Sequence, residues 1–208
     1  MIGAVLLGAG FGTRFRAAAH AGTGTDKRLA PLGQSTVAAT TLTTYTHVFD
    51  AVRLVVRPED KPLQALASAH NHVEVVTTTM ADRGMAFSLR AGFADLSWPY
   101  AFVGLLDMPF VATATLTQAC ELAAQNGYQH IVRPQLILTK SASEAMEKPP
   151  WGHPIGFPAD LYPNFLQLEG DQGARQILAT HKHRVIEMPT HDKGVVQDID
   201  HPDDLAGA

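Results

Sequence analysis

The 208-residue chain holds a single cysteine, Cys120, so an internal disulfide and a cysteine-built metal cluster are both excluded, and the composition suits a reducing cytoplasm. It also lacks an excess of positive charge. Sixteen Lys and Arg stand against twenty Asp and Glu, a formal −4, so no overall field draws nucleic acid or an anionic membrane, and any phosphate chemistry must rest on a local site. Long apolar runs are missing too: the longest, near 2–9 and 101–106, fall far short of the roughly 20 residues needed to span a bilayer. The first of them has no basic residues before it and passes straight into glycines, so it reads as a strand and not a targeting signal. No repeat, heptad or low-complexity tract is present. With 46% hydrophobic residues and 17% charged, the chain has material for a sizeable core, and we expect one domain over 1–208, cytoplasmic, with neither nucleic acid nor membrane as a partner.

Short apolar runs recur at 2–7, 52–56, 73–77, 100–106 and 130–133, with helically spaced segments between them: Ala38, Leu42, Tyr45 and Phe49; Met85, Leu89, Phe93 and Leu96; Leu116, Cys120 and Ala123. Buried strands alternating with helices predict an α/β domain with a mostly parallel sheet and right-handed crossovers. The last third is less regular. A loop over the active face is expected from 136, running through Pro149-Pro150 and Trp151-Gly152-His153-Pro154 to about 156, then a helix after Asp171, a late strand at 185–188 and a short terminal helix near 201–205.

In such folds ligands gather at the carboxyl ends of the strands, so the segments just after those ends are the candidate binding elements. After the first strand comes Gly8-Ala9-Gly10-Phe11-Gly12, which lets backbone N–H groups approach a ligand and suits a polyphosphate; the plain alternative is a tight strand-to-helix turn. Arg14, Lys27 and Arg28 come next as mobile cations for the same phosphates, or as solvated charges. A Walker loop is absent, and the third glycine arrives one residue early for the dinucleotide fingerprint. No carboxylate ends the second strand at Val56, which disfavours a nicotinamide-binding domain.

Asp107 comes after an otherwise apolar strand and precedes Pro109; it is either a magnesium ligand beside bound phosphates or a turn aspartate. Asp198 and Asp200 flank Ile199 and would share one face of an extended segment, as a second metal ligand or as a cap for the terminal helix. Histidines occur singly or in pairs without a third ligand, which argues against zinc, and His153 stands apart by its place in the expected loop. Ser88 has no nucleophile elbow around it, and Cys120 falls on the apolar side of a helix.

Together, Leu7-Gly8-Ala9-Gly10-Phe11-Gly12-Thr13-Arg14 with Lys27, Arg83-Gly84-Met85-Ala86-Phe87-Ser88, Leu106-Asp107-Met108-Pro109, Gly152-His153-Pro154, Gly170-Asp171-Gln172-Gly173-Ala174-Arg175 and Asp198-Ile199-Asp200-His201-Pro202 resemble the molybdenum cofactor nucleotidyltransferases. The resemblance spans nearly the whole chain in order and is nearest to the cytidylyltransferase branch. It implies a Rossmann-like three-layer nucleotidyltransferase fold and transfer of CMP from CTP to molybdopterin-bound molybdenum, with release of pyrophosphate and Mg2+ as cofactor. A molybdenum apoenzyme is an implied partner. Residues 7–10, Gly12, Arg14 and Lys27 would hold the triphosphate, with Arg14, Lys27 and Asp107 catalytic. Gly84 and Ser88 would lie against base or ribose, Asp107 and Asp198 would hold the metal, and His153, Asp171 and Arg175 would face the acceptor. The segment 17–25 is inserted relative to the family pattern, leaving Lys27 or Arg28 for the lysine role, and the loop before Gly152 is long. Transfer from GTP, transfer to a sugar 1-phosphate, and a non-catalytic cofactor-handling role are the alternatives.

Overall fold

The computed structural model describes residues 1–18, 26–137 and 150–205, with Arg14, Arg16 and Ala18 described by backbone alone. A seven-stranded sheet runs through the molecule in the order β5-β4-β1-β6-β8-β7-β9. Its strands are β1 (Ile2–Leu7), β4 (Ala51–Val56), β5 (Val73–Thr77), β6 (Tyr100–Leu105), β7 (Ile131–Leu136), β8 (Ile155–Pro158) and β9 (Val185–Thr190); only β8 is antiparallel. A separate two-stranded hairpin joins β2 (Pro31–Leu32) to β3 (Ser35–Thr36).

The central strands β1 and β6 are apolar throughout because both faces are covered. Ala4, Leu6, Leu54 and Phe102 point to one layer, made by α2 (Val37–Val48), α3 (Lys61–Ser68) and α5 (Thr113–Gln125). Val5, Val55, Val103 and Phe157 point to the other, made by α4 (Met85–Phe93), α6 (Tyr162–Leu166) and α7 (Arg175–Thr180). The three-layer α/β architecture with a mostly parallel sheet is therefore as expected. Among the described residues, no helix is long and apolar enough to cross a membrane.

The chain winds one way from β1 through β4 to β5 and the other way from β6, so the topological switch point lies between β1 and β6. Their carboxyl ends open a crevice there, and the Leu106 N–H donates to the Leu7 carbonyl at 3.0 Å across its floor. The short helix α1 (Thr13–Ala18) comes directly after the glycine loop.

Two expectations change. The acceptor-side loop placed at 136–156 is shorter, since Leu136 ends β7 and Ile155-Gly156 open β8; residues 138–149 within it lie outside the described residues. Four residues containing a glycine and a proline carry no strand signal of their own, and β8 forms because β6 and β7 present edges on both sides. The terminal helix is a 3-10 turn (Pro202–Leu205), opened by Asp204, whose Oδ2 accepts from the N–H groups of Asp200 and His201 at 2.8 and 2.7 Å.

Candidate active site

The loop after β1 starts with Gly8, whose N–H donates to the Val55 carbonyl at 2.8 Å, and turns at Gly12, where φ is +58°. After α1 the chain returns to this loop through a 3-10 turn (Lys27–Leu29) capped by Asp26, which accepts from the Arg28 N–H at 3.0 Å. The turn sends its two basic side chains to different tasks. Arg28 is buried, and its guanidinium donates to Asp26 at 2.9 and 2.6 Å, to Asp60 at 2.8 and 2.7 Å, and to the Gly8 carbonyl. Asp60 is also buried and takes Arg57 at 3.0 and 2.6 Å, while Arg57 lies 4.6 Å from the centre of the Phe11 ring. Burial opposes the charged form of Asp60, yet the hydrogen bonds from Arg28 and Arg57 hold it well below the usual carboxylate range. The guanidinium is thus fully engaged in holding the glycine loop from behind.

Lys27 points the other way, into the crevice. Its Nζ meets Asp107 Oδ2 at 2.6 Å and Asp200 Oδ1 at 3.0 Å. Burial works against the ammonium, but the two carboxylates outweigh it and raise its pKa above the ordinary lysine value. The Ile199 N–H donates to the Asp107 carbonyl at 2.9 Å, and the Ile199 side chain is fully buried, which brings Asp198 and Asp200 beside Asp107 from the opposite side of Ile199. Asp198 has a raised pKa, first through burial and then through the charges of Asp200 and Asp107. Three carboxylates, those of Asp107, Asp198 and Asp200, thus gather at this corner of the crevice beside the Lys27 ammonium.

The crevice encloses about 460 Å³. Leu7, Gly8, Ala9, Gly10, Gly12, Lys27, Gly84, Ser88, Asp107 and Asp198 all line it, as do Arg28 and Asp171. Arg14 belongs to α1 by its backbone, and its side chain lies outside the described residues. Gly84 is required by conformation: φ is +114° and ψ 168°, and a Cβ there would lie 2.2 Å from the Gly170 carbonyl oxygen, so two of the recognised segments touch through backbone alone. Gly84→Ala is therefore expected to cost about 2 kcal/mol or more in urea unfolding, since an Ala must adopt a nearly glycine-only conformation and push the 170 turn away.

A second cavity, of about 330 Å³, shares Leu7, Met85, Leu105 and Asp171 with the first. Here the structure gathers His153, Asp171 and Arg175, the three residues to which the resemblance gives an acceptor role, together with Arg133 and Trp151, to which it gives none. His153 is placed by its N–H, which donates to the Val195 carbonyl at 2.8 Å, and its Nδ1 lies 3.3 Å from the Val103 carbonyl. A carbonyl only accepts, so Nδ1 carries the proton and Nε2 keeps its lone pair. Burial first, and then Arg133 and Arg175, lower the pKa of this ring and keep it neutral. Because the folded pKa is below the unfolded one, the unfolded state takes up the proton first as pH falls below about 6.5. His153→Gln should accordingly lose less of its urea midpoint than wild type between pH 7 and 5.5; equal losses would show that His153 does not titrate on unfolding.

The remaining histidine pairs lie on the surface, and among the described residues no group of three His, Cys, Asp or Glu side chains encloses a metal. Burial pushes the Cys120 thiol up to about 12, which leaves it unreactive against the core.

The fold and the crevice at its switch point define an α/β nucleotidyltransferase. The chain belongs to the MobA-like NTP transferase domain family, which it matches over residues 4–185. Among solved structures it is similar to Rv0371c from Mycobacterium tuberculosis H37Rv, at 26% identity and a TM-score of 0.76 over 99% of this chain and 95% of that one. The same protein in complex with manganese aligns at 24% identity and a TM-score of 0.72 over 99% and 96% of the two chains. A nucleotidyl transferase from Methanothermobacter gives 22% identity and a TM-score of 0.76 over 100% and 95%. No curated protein matches the chain.

Proposed function

We propose that the protein transfers CMP from CTP to molybdopterin-bound molybdenum cofactor and releases pyrophosphate. The observation that carries this reading is the pair of cavities with a common wall, the glycine loop and the Lys27–Asp107 pair on one side and His153 with two arginines on the other. A triphosphate laid along the glycine loop places its α-phosphorus near that wall. An oxygen of the acceptor phosphate attacks this phosphorus, the bond to the bridging oxygen of the β-phosphate breaks, and pyrophosphate leaves with the electron pair. No enzyme-bound intermediate is required, so the protein's contribution is positioning and charge.

Lys27 supplies one mobile cation for the triphosphate once Asp107 and Asp200 find other partners. The carboxylates of Asp107 and Asp198, both on the crevice wall, suit magnesium, which takes one or two of them and completes its shell from phosphate and water. Asp107 and Asp198 are the residues we assign to hold it. Bound there, the ion would neutralise charge on the phosphates of the nucleotide. The neutral Nε2 of His153 would accept a hydrogen bond from the acceptor. Choice of CTP rests on the similarity of the sequence motifs to the cytidylyltransferase branch.

The test is thermal stabilisation by CTP, GTP, UTP and ATP, each with and without magnesium. CTP with magnesium should stabilise most, and a ten-fold lower Kd for it corresponds to about 1.4 kcal/mol of preference. Absence of stabilisation by every nucleotide would overturn the proposal.

A further inference from the structure

The second cavity does not end at His153. Arg133, Trp151, Arg175 and Leu178 also wall a third hollow of about 440 Å³, which contains Lys182 and Glu187. Arg133 therefore stands between two hollows, on the side of the acceptor cavity away from the nucleotide crevice. It lies on β7 with its side chain on the same face as Ile131, toward the layer that contains α7. The guanidinium sits 4.1 Å from the centre of the Trp151 ring, and its Nε is buried without a hydrogen-bond partner among the described residues. Nearby charge does not satisfy it: Arg175 repels it, and Glu187 compensates only in part, so burial and Arg175 together bring its pKa down to about 10. A guanidinium is normally paired when it leaves water, because an unpaired buried donor and two like charges facing one cavity both cost free energy. An anion entering the cavity offsets both costs, and the half-buried Trp151 indole in the same cavity wall gives a flat ring an aromatic surface to pack against.

We infer that Arg133, Arg175 and Trp151 form an anion subsite for the distal part of the acceptor, selecting a flat heterocycle that carries a negative group. This subsite rests on the reading that the acceptor lies in the second cavity, and it adds a specificity-determining residue, Arg133, to that reading. Trp151 also supplies the signal, since the chain has two tryptophans and the other, Trp98, is buried.

The experiment is titration of the full chain with pterin-6-carboxylate and, separately, glucose 1-phosphate, monitored by tryptophan fluorescence, with CTP and magnesium titrated in parallel. Pterin-6-carboxylate should quench Trp151, and Arg133→Met should weaken its binding about ten-fold or more while CTP affinity stays within about two-fold. Arg175 is exposed, so Arg175→Met repeats the test where the fold is not at risk, and a comparable loss is expected. Wild-type affinity in both variants, or no binding of pterin-6-carboxylate to wild type, would overturn the subsite and leave the nucleotide reading standing. Glucose 1-phosphate binding as tightly as the pterin would overturn selection for a flat ring. Arginine-dependent pterin binding without any CTP binding would uphold the subsite and overturn the proposed function.

Discussion

Asp107→Asn is expected to lower turnover by about 10² or more while the protein still folds. The substitution keeps the size of the side chain and its place at the end of β6, where the backbone carbonyl still accepts from Ile199, and it leaves Lys27 its contact with Asp200. What it removes is charge at the point where Lys27, Asp198 and Asp200 converge, and with it a proposed metal ligand. Steady-state pyrophosphate release measured beside urea unfolding separates the two effects. A variant with normal stability and near-normal turnover would take Asp107 out of the reaction.

The second large effect is on stability. Arg28→Met should cost about 3 kcal/mol, the low end for breaking a buried ion pair, because Arg57 still pairs with Asp60. The side chain of Arg28 is only 4% exposed and that of Asp60 5%, so water does not take over the lost contacts, and Asp26 and the Gly8 carbonyl lose a donor as well. Against a total stability of about 5–15 kcal/mol this is a large share. The same network sets the acid limit of the fold. Because Asp60 is held below its unfolded pKa of about 3.9, its stabilisation is present above that pH and is lost as pH falls through the lower folded value. Urea midpoints at pH 7 and pH 3 should therefore differ less in Arg28→Met than in wild type, and a variant as stable as wild type at pH 7 would show the network to be dispensable.

Much of this was legible in the sequence, for physical reasons that can be traced to particular residues. Strands such as Ile2–Leu7 and Tyr100–Leu105 are buried on both faces, so their apolar runs announced themselves, and the glycines after the first and Asp107 after the second marked the crevice. Strand β8 was not legible, because its pairing is supplied by neighbours from distant parts of the chain. Nor was the division of labour between Lys27 and Arg28, adjacent cations that a single 3-10 turn sends to opposite sides of the glycine loop. The resemblance favours Asp198 over Asp200 as the second ligand; in the structure Asp198 lines the crevice and Asp200 meets Lys27 directly. Arg133 did leave a trace in the alternation of β7, where it stands half-buried between buried Val132 and Pro134. Only the fold reveals that it faces a cavity with Arg175.

Pyrophosphate release by the wild-type protein tests the proposed reaction most directly. With magnesium and molybdopterin-bound molybdenum, CTP should yield one pyrophosphate for each CMP joined to the acceptor, well ahead of GTP, UTP and ATP. Release that requires GTP, release that proceeds only with a sugar 1-phosphate, or no release with any of the four nucleotides would contradict it.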